Sequence, residues 1–146
     1  MTAKTMSSSI EIAADSEVIF AIVANPHRHP EIDGSGTLGT EIVGPDRLVQ
    51  GSRFKVKVDQ GWMRYPTTNR VVEYEPNRLI AWRHIAPQRW RYELEPLGPK
   101  RTRVTESMDY GYWGPLAFIA KRAFHGDQAA IERTLTRLKE VAERVE

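Results

Sequence analysis

Polar and apolar residues change rhythm three times along this chain. Ser8–Ala13 alternates Ile10 and Ile12 with Ser9 and Glu11, the period of a strand with one buried face. Asp15 or Ser16 can then cap a helix on which Val18, Ile19, Ile22 and Val23 form one apolar stripe. Asn25-Pro26 ends it, because a residue before proline is pushed out of the helical region. Pro26–Ile32 has room for a further short turn of helix, and Asp33-Gly34-Ser35-Gly36 reads as a turn.

From Thr37 to Tyr112 the rhythm becomes that of strands. Leu38–Val43, Ser52–Asp59, Tyr65–Tyr74, Leu79–Ile85, Arg89–Pro96 and Arg101–Tyr110 are rich in Val, Ile, Tyr, Trp and Thr. Between them lie Gly44-Pro45-Asp46, Gln60-Gly61, Glu75-Pro76-Asn77, Pro87 and Leu97-Gly98-Pro99, all with turn chemistry. Phe54, Val56 and Val58 alternate with Arg53, Lys55 and Lys57, and Trp90, Tyr92 and Leu94 with Arg91, Glu93 and Glu95. That is the pattern of an antiparallel meander with one dry and one wet face.

The end of the chain returns to helix. Gly114-Pro115 opens it, Gly126-Asp127 can kink or divide it, and Ile131, Leu135, Leu138, Ala142 and Val145 make one apolar seam. Unbroken, a helix of about 30 residues would run about 45 Å, longer than a domain of this size is wide. The order is strand, two short helices, six strands and a long amphipathic helix, an α+β arrangement in which that helix covers the dry face of a seven-stranded sheet. Such a sheet curls, and a curled sheet around a helix leaves an internal space where a ligand would sit.

Composition narrows the chemistry. The 146 residues suit one domain over 1–146, and the net charge is only +2, with Lys and Arg numbering 21 against 19 Asp and Glu. An extended nucleic-acid face needs a larger clustered excess, so nucleic acid is not an expected partner. No cysteine is present, which removes disulfides and thiolate chemistry. The longest apolar run, Val18–Ala24, is far short of the roughly 20 residues that span a bilayer. The start lacks the apolar segment of a signal peptide, so a cytoplasmic location without stable membrane insertion is expected.

If the apolar member of each alternating set faces inward, the strand Leu79–Ile85 sends Ile80, Trp82 and His84 inside. Trp90, Tyr92 and Leu94 follow, and the last strand sends Val104, Glu106, Met108 and Tyr110. His84, Tyr92, Glu106 and Tyr110 would then be polar groups in an aromatic interior. A buried Glu106 beside His84 could share a proton and serve as an acid–base pair, or the groups could simply hydrogen-bond one another or a ligand. A one-residue bulge would reverse every face. Phe54 adds an inward ring, and Leu116, Phe118, Ile119 and Phe124 would plug one end of the space or pack the core.

Other motifs have plainer readings. His27 and His29, with Glu31 and Asp33, carry metal-ligand atoms but lack an identifiable third partner. An exposed polar segment at the mouth of the space is the expectation, with no metal or cofactor. Gly34-Ser-Gly-Thr-Leu-Gly39 fits Gly-x-Gly-x-x-Gly but precedes a strand of a meander, so it reads as a flexible turn rather than a dinucleotide loop. Arg53, Lys55 and Lys57, with Arg83, Arg89 and Arg91 nearby, read as a solvated outer sheet face.

Ile10-Glu11-Ile12-Ala13-Ala14-Asp15-Ser16-Glu17-Val18-Ile19-Phe20 resembles the opening of the SRPBCC superfamily, the START-like or Bet v 1-like helix-grip proteins. Asn25-Pro-His-Arg-His-Pro-Glu-Ile-Asp33 is similar to that group's second short helix, and Glu75-Pro-Asn-Arg-Leu-Ile-Ala-Trp-Arg83 to its "P-x-R-L" strand entry, with an aromatic shortly after. Thr102-Arg-Val-Thr-Glu106 is similar to the strand before the final helix. The likeness is nearest to the polyketide cyclase/dehydrase and lipid-transport-like branch. It implies a helix-grip fold, with the sheet wrapped around the C-terminal helix and a hydrophobic cavity between them. It further implies binding of a small hydrophobic molecule of lipid, steroid or polyketide type. Two alternatives are a cofactor-free cyclase or dehydratase using His84 and Glu106, and an interaction module whose pocket is filled by side chains. The candidate ligand contacts are Phe54, Ile80, Trp82, Trp90, Tyr92, Met108, Tyr110 and Phe124.

Overall fold

Period-two alternation settles into seven strands because each needs a neighbouring strand for its backbone and one dry face for its apolar set. The structure, a computed structural model, describes residues 5–34, 38–59, 61, 64–83, 89–109 and 128–145. Strand β1 (Thr5–Ile12) is followed by α1 (Ser16–Val23), a 3₁₀ turn (Pro26–Arg28) and α2 (His29–Ile32). Six strands come next: β2 (Leu38–Val43), β3 (Arg53–Asp59), β4 (Arg64–Glu75), β5 (Leu79–Arg83), β6 (Arg89–Gly98) and β7 (Arg101–Asp109). The last described helix, α3, is Gln128–Val145.

The sheet is antiparallel throughout, in the order β1-β7-β6-β5-β4-β3-β2. The meander runs from β2 to β7, and β1 crosses to pair with β7. Helices α1, α2 and α3 contact one another, and α3 lies against β1 and β7. This is the helix-grip fold that the sequence predicts.

The core joins the buried side of α1 (Ile19, Phe20, Ile22, Val23), the α3 seam and the inner sheet face. Three local features differ from the sequence reading. First, β4 carries a register shift between Val71 and Glu73, so Val71 and Tyr74 both point inward, and Tyr74 meets Phe20 at 5.9 Å between ring centres. Second, the α3 seam stops at Ala142, since Val145 is 60% exposed. Third, Asp15 stands at the N-cap of α1 without a side-chain cap bond, and its Oδ1 instead accepts from the Lys100 amide at 2.8 Å, tying α1 to the β6–β7 turn. The expected opening and kink of the last helix, at Gly114-Pro115 and Gly126-Asp127, lie outside the described residues.

Candidate functional site

Strand pairing brings the inner-face residues into two rows. One runs Val71, Trp82, Trp90, Met108 and Met6 across β4, β5, β6, β7 and β1, and the next runs Tyr74, Ile80, Tyr92, Glu106 and Ser8. Trp82 is the hub of an aromatic wall. Its ring meets Phe54 edge-on at 5.6 Å and Tyr92 at 5.7 Å, and stacks on the His29 ring at 5.0 Å with 18° between planes. Such pairs add about 0.5–1.5 kcal/mol beyond burial and hold the rings in fixed orientations.

Glu106 sits in this apolar setting at 2% exposure. The Trp90 indole Nε1 donates to its Oε2 at 3.2 Å, and among the described residues Oε1 has no hydrogen-bond partner. Burial raises the carboxyl pKa to about 8, against the opposing pull of the Tyr92 hydroxyl and the Trp90 indole, with the charge of Asp33 adding to the rise. At neutral pH Glu106 is therefore mostly a neutral acid with a proton to donate. Burial also pushes the Tyr92 phenol well above its ordinary value of 10.0, helped by the Glu106 charge. Replacing Trp90 with Phe removes a donor that favours the carboxylate. The Glu106 pKa in Trp90→Phe is expected to rise above the wild-type value of about 8, read from the side-chain carboxyl resonance across a pH titration. An unchanged or lower value would show that the indole does not act on the carboxyl.

His29 is 6% exposed, which corrects the expectation of an exposed polar segment. It lies at the start of α2, with its ring against Trp82 and Phe54. Its Nε2 is 2.7 Å from the Val23 carbonyl, and a carbonyl can only accept, so the proton sits on Nε2 and Nδ1 keeps a lone pair. Burial lowers its pKa to about 4 despite that hydrogen bond and the nearby Asp33 charge. A signal for this burial exists in the sequence, because Pro26, His29 and Ile32 recur every three residues and all three are buried. His27, by contrast, faces out, with its Nε2 donating to the Gly44 carbonyl at 2.8 Å. Among the described residues no group of three or more His, Asp or Glu could hold a metal ion.

Asp33 and Gly34, directly after α2, are held against α3, while residues 35–37 of the glycine motif, read as a flexible turn, lie outside the described residues. The Gly34 amide donates to Thr134 Oγ1 at 2.9 Å, its carbonyl accepts from Arg133 Nε at 2.9 Å, and Arg137 donates to the Asp33 carbonyl. These bonds fix the C-terminal end of α2 to α3 and so hold His29 over the sheet.

Of the other candidates, Ile80 and Met108 are fully buried on the inner face and Trp90 is half-buried beside Glu106. Asn69, buried on the inner face of β4 opposite Phe54, is a polar group the sequence reading did not single out. His84, Tyr110, Leu116, Phe118, Ile119 and Phe124 lie outside the described residues. The structure thus joins Phe54, Trp82, Tyr92, Trp90 and Glu106 in one cluster with His29. A groove of about 390 Å³ along α3, lined by Ala129, Glu132, Arg133, Thr136, Arg137 and Glu140, is a separate, open feature of that helix's outer side.

A curved antiparallel sheet holding a C-terminal helix, with an aromatic inner wall, defines a START-like protein, and solved structures share that fold. An aromatase/cyclase named Zhui, from Streptomyces, superposes with a TM-score of 0.70 at 16% identity, covering 98% of this chain and 95% of that one. Norcoclaurine synthase from Thalictrum flavum gives 0.72 at 13% identity, covering 99% and 96%. A START superfamily protein from Mycobacterium smegmatis gives 0.70 at 17% identity, covering 99% and 100%. More specifically, residues 3–143 match the family described as polyketide cyclase / dehydrase and lipid transport, and this chain belongs to that family. An uncharacterized protein of Mycobacterium tuberculosis, Rv0088, is 44% identical over 140 residues, which are 92% of this chain and 62% of that protein's length. No helix among the described residues is long and apolar enough to cross a membrane.

Proposed function

We propose that this chain binds a small hydrophobic molecule of lipid, steroid or polyketide type between the inner sheet face and the C-terminal helix. Phe54, Ile80, Trp82, Tyr92 and Met108 would supply apolar contact, joined by Tyr110 and Phe124, and Glu106 would hold a polar end with Trp90 beside it. The observation that carries the reading is the buried Glu106 carboxyl. Its Oε1 lacks a described partner, and a buried polar atom left so is costly unless something pairs with it. With Glu106 protonated, Tyr92 a phenol and His29 neutral, these three groups carry no charge at neutral pH. That suits an uncharged ligand with a hydrogen-bond acceptor, such as a carbonyl, better than a carboxylate or phosphate.

A thermal-shift panel of neutral lipids, steroids and aromatic polyketides tests this. At least one class is expected to raise the melting temperature, and Glu106→Leu is expected to weaken its binding by about tenfold through loss of one buried hydrogen bond. No shift across the panel would count against a ligand, and equal binding by the variant against the role of Glu106.

A second reading, a cyclase or dehydratase, has one observation in its favour. A carboxylic acid that keeps its proton near neutrality is poised as a general acid toward a carbonyl. In that reading Glu106→Gln and His84→Ala abolish turnover of a polyketide substrate while binding persists, and full activity in both would exclude the pair.

A further inference from the structure

The outer sheet face carries an arrangement that ligand binding on the inner face does not explain. Arg53 on β3 lies opposite Arg70 on β4, Arg70 opposite Arg83 on β5, and Arg83 opposite Arg89 on β6. Like charges directly opposite one another destabilise a sheet. Arg89 is neutralised by Glu73 and Asp109. Around it several charges of the same face are paired: Arg91 with Glu73 and Glu93, Lys57 with Glu41, and Arg103 with Glu95, while Lys55 beside the row adds a further exposed cation. Arg53, Arg70 and Arg83 are exposed and, among the described residues, have no acidic partner. A chain with a net charge of only +2 thus gathers three positive charges in one line, on strands about 4.8 Å apart.

We propose that this row docks an acidic segment of another protein, whose carboxylates lie across β3, β4 and β5 and meet one guanidinium on each strand. Arginine suits that partner, because its planar fork binds a carboxylate through two parallel hydrogen bonds. Acidic side chains three or four residues apart on one helix face stand about 5–6 Å from one another, close to the strand spacing. A membrane is a plane, and pressed against this face it would also meet the carboxylates of Glu41, Glu93 and Glu95, which are 73%, 52% and 64% exposed. A single-stranded nucleic acid would want aromatic platforms beside the phosphate contacts. On these strands and the adjoining β6, Phe54, Trp82, Trp90 and Tyr92 belong to the inner face.

The test uses a fluorescent helical peptide with glutamates along one face, at low ionic strength. Wild type is expected to bind it, and the triple variant Arg53→Gln, Arg70→Gln, Arg83→Gln to lose about tenfold or more in affinity, as three exposed ion pairs would give. The single change Arg70→Gln gives the same reading on a smaller scale. The triple Arg64→Gln, Arg101→Gln, Arg103→Gln removes the same charge from cations that already have partners and is expected to bind like wild type. Equal losses in the two triples would reduce the effect to net charge and overturn the proposal. Failure of wild type to bind the peptide would overturn it too, as would tighter binding to phosphatidylserine vesicles or oligothymidylate.

Discussion

Glu106→Gln is expected to gain stability over the wild type as pH rises, with the two alike near pH 4 and furthest apart above pH 8. The unfolded carboxyl titrates near its ordinary 4.5, while in the folded chain it holds its proton to about 8. Below the first value both states are protonated and burial of the neutral acid costs little. Between the two values the unfolded chain has released a proton that the folded chain retains. The wild type then loses up to ~1.4 kcal/mol of stability per pH unit, until folding no longer holds the proton. His29 has the opposite sign. Its folded pKa of about 4 lies below the ordinary 6.5, so its contribution is present above 6.5 and is lost as pH falls toward 4. The two slopes oppose each other between about 4.5 and 6.5, leaving the Glu106 loss to stand alone between about 6.5 and 8. Urea unfolding midpoints of wild type and variant should diverge in that upper window. Parallel curves there would show that the Glu106 carboxyl is ionised in the folded protein at neutral pH.

Gly34→Ala is expected to lower the melting temperature by about 10 °C, from a loss near 3 kcal/mol. A β-carbon at Gly34 would stand 2.5 Å from the Ala130 carbonyl oxygen, 2.6 Å from the Thr134 amide and 2.8 Å from Arg133 Cβ. Two of those neighbours are backbone atoms of α3, which cannot swing aside as a side-chain tip can. Relief therefore requires the loop to lift from the helix, which strains the hydrogen bonds from Gly34 to Thr134 and from Arg133 to Gly34. Because the same bonds hold α2 in place, the His29–Trp82 stack should loosen with them. Thr134→Val is the comparison. It removes the hydroxyl that accepts from Gly34 and donates to Ala130 while leaving the shape intact, and should cost only about 1 kcal/mol. Similar melting temperatures for Gly34→Ala and wild type would mean that the loop is free of the helix.

The alternation of Phe54 and Val56, or of Tyr92 and Leu94, was enough to assign the inner face, because a strand's period is set by its own backbone. Pairing partners are set by the whole sheet. Nothing in Ser8–Ala13 announces that β1 lies beside β7, nor that this puts Ser8 next to Glu106 in register. Glu106 itself was legible, as a carboxylate in phase with Val104 and Met108. His29 was not, because a histidine between prolines in a short polar stretch looks solvated. Only the three-residue spacing with Pro26 and Ile32, and the Val23 carbonyl left to receive its proton, account for its burial. The packing of Gly34 is hidden in the sequence for a related reason. A glycine's use in close approach depends on what lies across from it, and here that is a helix 100 residues further along the chain. Arg53 and Arg83 read from the sequence as part of a solvated outer face, but their alignment with Arg70 in one row needs the strand register.

Whether the chain holds a hydrophobic ligand is read out by native mass spectrometry of the purified protein, followed by extraction and identification of what it carries. A bound, uncharged hydrophobic molecule is expected, retained by wild type and depleted in both Trp82→Ala and Glu106→Leu. Recovery of no such molecule, together with no uptake of any from a lipid and polyketide panel, would contradict ligand binding.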